Sequence, residues 1–155
     1  MRLGNLLPVD YYIDRNSAGL ARLNDLIARL SERDLRRPVQ AGGWSIAVVL
    51  AHIAFWDAWT IARWDRFEER GSFDDIPDSV QEIVNYAGLA QWQALPPAFS
   101  LEHVGQVAIA VVARIRRLPP HAVKSALDTD RFAMLDRTYH WNPHLDEVEA
   151  VVGQA

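Results

Sequence analysis

The chain has 155 residues, half of them apolar, a formal net charge of −4 and no cysteine. That length suits one domain, 1–155, with a full core, and the missing thiols exclude a disulfide framework, a cysteine nucleophile and thiolate metal ligands. An acidic balance with both signs interspersed argues against nucleic acid or an anionic membrane as partner, and the Met1–Pro8 start lacks the long apolar core and cleavage site of a signal peptide, so a soluble cytoplasmic protein is expected.

Helical periodicity dominates from the N-terminus onward. Ile13, Leu20, Leu23, Leu26, Ile27 and Leu30 recur at spacings of three, four and seven, which predicts an amphipathic helix over about 10–31. Arg36-Arg37-Pro38 and Gly42-Gly43 break the pattern. A second helix is expected to open at Ser45, an N-cap residue, and to run to about Arg70, where Gly71 stops it. Between Trp44 and Ala62 its only ionisable residues are His52 and Asp57, so it should be the most buried element. A membrane span is the competing reading, and Asp57 together with the charged stretch from Arg63 to Arg70 speaks against it.

Ser79-x-x-Glu82 has the capping-box pattern and predicts a shorter helix towards Leu95, ended by Pro96-Pro97. A third long helix follows over about 100–118, with Val104, Val107, Ala108, Val111, Val112, Ile115 and Leu118 as its apolar stripe. Arg114, Arg116 and Arg117 near its end complement the helix dipole. The stretch from His121 to about Asp136 is mixed and expected to be irregular, and a last helix lies within Tyr139 to Val152. With no convincing strand, the economical architecture is an all-α four-helix bundle with the 79–95 helix as a short extra element in a crossover.

The candidate chemistry lies in three of the five histidines. His140 and His144 are four residues apart, which places them on one helix face about one turn apart and lets both reach one ion. The residue after the first histidine is Trp141, so the glutamate that a zinc-protease helix needs there is missing. Pro143 complicates the pair, because it removes an amide donor and disfavours helix at Asn142; a helix beginning at Asn142 or Pro143 would leave His140 just outside. His52 shares its helix face with Val48, Phe55, Trp56 and Trp59, and taken alone it is read most simply as a neutral core histidine satisfied by one hydrogen bond. If His52, His140 and His144 meet, they make a three-imidazole site for a divalent metal with a coordination position left open.

Asp57, Asp136, Asp146 and Glu147 are the carboxylates able to accept the second N–H of such imidazoles, with Asp57 directed away from His52 on the helical wheel and a solvated surface position the commoner fate of each. His103 and His121 are expected to be exposed. Of the six tryptophans, Trp56, Trp59 and Trp141 are the candidates to line a substrate pocket, against the bland alternative of core packing.

The string Gly43-Trp44-Ser45-Ile46-Ala47-Val48-Val49-Leu50-Ala51-His52-Ile53-Ala54 resembles the second-helix motif of the DinB/YfiT-like metalloenzyme family and is similar to mycothiol-dependent maleylpyruvate isomerase N-terminal domains. Tyr139-His140-Trp141-Asn142-Pro143-His144-Leu145 resembles the family's paired-histidine fourth helix, with Asn142-Pro143 as its departure from the pattern. The resemblance covers nearly the whole chain. It implies a DinB-like bundle with a three-histidine site for nickel, zinc or another divalent ion, often in a homodimer. It also implies a small-molecule substrate and, in some relatives, S-transfer or isomerisation with a low-molecular-weight thiol. The alternative from another class is a non-catalytic helical binding or dimerisation module on the same scaffold, with structural metal or none.

Overall fold

The computed structural model describes residues 8–153. Helix α1 (Pro8–Arg29) buries Leu23 and Leu26 and carries Asp10 in its first turn and Arg29 in its last, the polarity that suits the helix dipole. A one-turn helix, α2 (Glu32–Leu35), follows at once. Here a capping box does form: Ser31 Oγ accepts from the Asp34 amide, and the Asp34 carboxylate accepts from the Ser31 amide. Two short strands not expected from the sequence, β1 (Pro38–Gln40) and β2 (Trp44–Ser45), pair antiparallel across the Gly42-Gly43 turn. They are too short to show a periodicity of two, which is why the sequence pattern conceals them.

Helix α3 (Ile46–Arg70) has the boundaries its residues announce. Ser45 Oγ accepts from the Val48 amide at 3.3 Å, and the helix stops at Gly71, whose φ of 78° lies in the left-handed region and whose N–H reaches the Phe67 carbonyl. Every residue from Ile46 to Ala54 is buried. By length and composition α3 and the helix Pro97–Arg116 could each cross a membrane; in α3, 61% of the apolar window is buried inside the bundle, as a core helix requires.

The remaining helices depart further from the sequence reading. Helix α4 (Asp78–Ala94) begins one residue ahead of Ser79 with Pro77 at its N-cap, so the Ser79/Glu82 pattern falls inside the first turn and caps nothing. Helix α5 (Pro97–Arg116) starts three residues earlier than Ser100, because Pro97 fits the first turn, where no amide donor is needed. The stretch expected to be irregular contains helix α6 (Pro120–Asp128) and a single 3₁₀ turn at Phe132–Met134. Helix α7 (Thr138–Val152) includes Pro143 in its interior rather than starting at it.

Four long helices form a ring: α1 packs on α5 and α7, and α3 packs on the same two neighbours from the other side. Between them lies one continuous apolar core that includes Leu23, Leu26, Ile46, Leu50, Ile53, Val104, Val111, Ile115, Trp141 and Leu145. Helix α4 lies outside the ring against α3. The fold is therefore an all-α four-helix bundle carrying an extra helix in the α3–α5 crossover. One close approach sets its geometry at the α7 end. Gly19 lets α1 come against α7: a Cβ there would fall 2.7 Å from Thr138 Cγ2 and 3.1 Å from the Trp141 ring. Arg114 bridges α5 to α3 through Asp65 and Glu68, so this residue of the basic cluster is spent on ion pairs between helices.

Candidate metal centre

His52 stands two turns into α3, in the stretch that is buried all round, and is 5% exposed. His140 and His144 are half-buried and sit one turn apart on α7, both inside the helix because it starts at Thr138. Pro143 costs α7 the hydrogen bond to the Tyr139 carbonyl, but Tyr139 is at the surface, where water can satisfy it.

The three rings converge. His52 Nε2 faces His140 Nε2 at 3.0 Å, the ring centroids of the three pairs are 4.9–5.0 Å apart, and one ligand nitrogen from each ring lies within 4.8 Å of the other two. Two nitrogens bound at right angles to an ion at about 2.1 Å stand about 3.0 Å apart, so the His52–His140 spacing has the size of a coordination sphere. Burial holds the His52 pKa down at about 3, with His144 adding to the effect; burial, then the Arg137 charge, holds His140 well below its ordinary value. These two rings are therefore neutral near pH 7, the form in which imidazole binds metal. His52 Nδ1 is buried without a hydrogen-bond partner in the protein. The donor set fits a divalent first-row ion.

The neighbours that fix the rings come from several elements. Glu147 Oε2 lies 3.3 Å from His144 Nδ1, and Gln40 Nε2 on β1 donates to both Glu147 oxygens at 3.1 Å. This contact orients the ring and leaves its Nε2 for a ligand role. Trp44 on β2 and Trp92 on α4 stand edge-on to His52, with centroids at 5.3 and 5.1 Å. Beneath His140, Arg137 donates through Nε to Asp57 at 2.7 Å and through Nη1 to the Ala133 carbonyl at 3.0 Å, with Nη2 3.5 Å from His140 Nδ1. Trp141 Nε1 donates to the other Asp57 oxygen at 2.9 Å. Desolvation pushes the Asp57 carboxyl up, opposed by the Arg137 charge and by the N–H groups of Arg137 and Trp141.

Of the four candidate carboxylates, then, only Glu147 touches a candidate ligand. Asp57 is not at the surface: it is fully buried and acts on His140 through Arg137. Asp136 is also buried, accepting from the Thr138 amide and from Arg15, and so holds the start of α7. Asp146 pairs with Arg22 at the surface. His121 is exposed, whereas His103 is half-buried and stacked on Phe99.

A cavity of about 760 Å³ opens beside the histidines, and Trp56 and Trp59 line it together with Trp44. Trp141 does not. It is fully buried with its indole committed to Asp57, so the pocket role expected for it is corrected to a core role. Sequence reasoning missed Arg137, Asn16 and Trp92. Only Arg137 carried a signal, since at three residues before His140 it falls on the same helix face once α7 is known to start early.

A family model described as the mycothiol maleylpyruvate isomerase N-terminal domain matches residues 17–141. No curated protein and no solved structure matches the chain.

Proposed function

The chain belongs to the mycothiol maleylpyruvate isomerase N-terminal domain family, a DinB-like family, and from that premise we propose that it is a divalent-metal-dependent enzyme acting on a small molecule, with a low-molecular-weight thiol as co-substrate in an S-transfer or isomerisation. The observation that carries this reading is the convergence of His52, His140 and His144 at one wall of an open cavity. Those three residues would hold the ion, nickel, zinc or a similar one. When bound, a divalent ion supplies positive charge that favours the deprotonated form of a thiol or water at a position the imidazoles leave open.

The chain's own residues do the rest. Glu147 accepts the Nδ1 proton of His144 and so fixes which nitrogen faces the centre. Trp44 and Trp92 cover His52 and keep bulk water from it. Trp56, steadied by the bond from its Nε1 to Asn85 Oδ1 at 3.0 Å, joins Trp59 as an apolar wall against which a substrate packs. The protein works in the cytoplasm as a homodimer in this reading.

Metal analysis of untagged protein, before and after chelation, tests it together with thiol-dependent turnover. One ion per chain, lost along with turnover in His52→Ala, is expected. Protein that takes up no nickel or zinc, and whose melting temperature ignores both, would leave the non-catalytic helical module as the better reading.

A further inference from the structure

Helix α5 is as apolar as α3 by mean hydropathy, yet 39% of its apolar window is buried against 61% for α3. Its outer face accounts for the difference. Phe99, Glu102, Gln106, Ile109, Ala113 and Arg116 follow one another at spacings of three, four, three, four and three, so they form one seam along the helix. That is the spacing by which two helices pack along each other. All six are exposed except Ala113, which is half-buried; Phe99 and Ile109 keep 47% and 54% of their surface in solvent. From His103 to Ala113 the helix has no aspartate, glutamate, lysine or arginine, so the middle of the seam is bare of charge.

The two ends of the seam are charged, with opposite sign. Glu102 lies seven residues before Ile109 and Arg116 seven after it, each about 10 Å along the helix axis. Arg117 adds a second positive charge beside Arg116. Among the described residues neither end has an ion pair: Glu102 accepts from the Gln106 side chain at 3.2 Å, and Arg116 donates to Ser17 Oγ at 3.2 Å. Arg114, by contrast, is engaged by Asp65 and Glu68.

A face with a negative end, an apolar middle and a positive end fits a copy of itself after a half-turn. A two-fold axis through Ile109 sets that side chain against its own copy and each Glu102 against the partner's Arg116 and Arg117. Parallel pairing would set glutamate on glutamate and arginine on arginine. The exposed apolar face of α4 has no such match: Ile83 and Tyr86 are 66% and 86% exposed, but the charges of that helix, Asp78 and Glu82, are both acidic and share one end. No residue of α5 lines the cavity beside the histidines, so a partner on the seam leaves the cavity open.

We propose that the outer seam of α5 is a self-association surface, on which a second copy of this chain packs its own α5 antiparallel about a two-fold axis at Ile109. This gives the homodimer of the proposed function a face, and it depends on neither the metal nor turnover.

Sedimentation velocity of the full chain over a concentration series tests the pairing. Expected are a monomer–dimer equilibrium for the wild-type chain, a monomer for Ile109→Glu, since two carboxylates would meet on the axis, and dimerisation about tenfold weaker for Glu102→Arg. Adding Arg116→Glu and Arg117→Glu to Glu102→Arg reverses both ends together, and dimerisation should return. The absence of cysteine allows a second check: Ile109→Cys should cross-link into a disulfide dimer under mild oxidation, while Tyr86→Cys on α4 should not. Wild-type protein stripped of metal, and His52→Ala, are expected to dimerise as the wild-type chain does, so a failed metal centre leaves this result standing. A wild-type chain that stays monomeric overturns the proposal. So does a dimer that Ile109→Glu leaves intact, that Tyr86→Cys cross-links in place of Ile109→Cys, or that the reversed charges do not restore.

Discussion

Helices α3 and α7 supply the three candidate ligands, and they reach their places by opposite means. Helix α3 is defined by its own residues: a Ser45 cap, an unbroken apolar run and a left-handed Gly71 stop. Helix α7 has no side-chain cap at the residue preceding it and carries a proline in its interior. Apart from Asp136, which accepts from the Thr138 amide, what holds its first turns is distant in sequence. Asn16 on α1 donates to the Leu135 carbonyl at 2.7 Å and accepts from the Arg137 amide at 2.8 Å. Asp57 on α3 receives Arg137 and Trp141, and Arg22 on α1 reaches Asn142, Asp146 and Glu149. One ligand is thus placed by local helix chemistry and two by a buried polar network, so damage to that network should cost stability and metal affinity together.

The sharpest way to break that contrast is Asp57→Ala. Removing the carboxylate leaves the Arg137 guanidinium buried and unpaired, an expected loss of about 3–5 kcal/mol in chemical denaturation. Weaker binding of metal by the molecules that still fold is expected with it. Asn16→Ala is next. It strands a carbonyl and an amide that are both buried, for about 2–3 kcal/mol by the same measurement. Ser45→Ala removes only a cap from the locally encoded helix, and about 1 kcal/mol is expected with metal affinity unchanged. Should Ser45→Ala cost more than Asn16→Ala, or weaken metal binding as much, the division between the two helices fails. Glu147→Gln should hardly move stability, because its contacts lie near the surface, yet lower metal affinity by about tenfold in calorimetric titration.

The same contrast explains what could be read from residues alone. Helix α3 was legible to within a residue at both ends because caps, stop and apolar run act over a few positions. The three histidines stood out as residues, but their convergence depends on α7 starting at Thr138, against the local advice of Pro143. Asp57 was expected at the surface because its partner Arg137 lies 80 positions away and no local pattern announces it. Trp141 was expected in the pocket for a like reason: its sequence neighbours are the candidate ligands, while its buried indole is committed to Asp57. The Ser79/Glu82 pattern shows the converse error, a sound local motif pre-empted by Pro77 starting the helix one residue earlier. Helix α6 and the β1–β2 pair escaped because they are too short for periodicity to separate from irregular chain.

The central claim, that His52, His140 and His144 share one cation, is tested most directly by anomalous diffraction from crystals of the untagged protein grown with nickel or zinc. The account predicts a single strong peak about 2.0–2.1 Å from one ring nitrogen of each of the three histidines. A map with no peak between them, or with the metal bound elsewhere while the three rings stay empty, would contradict it.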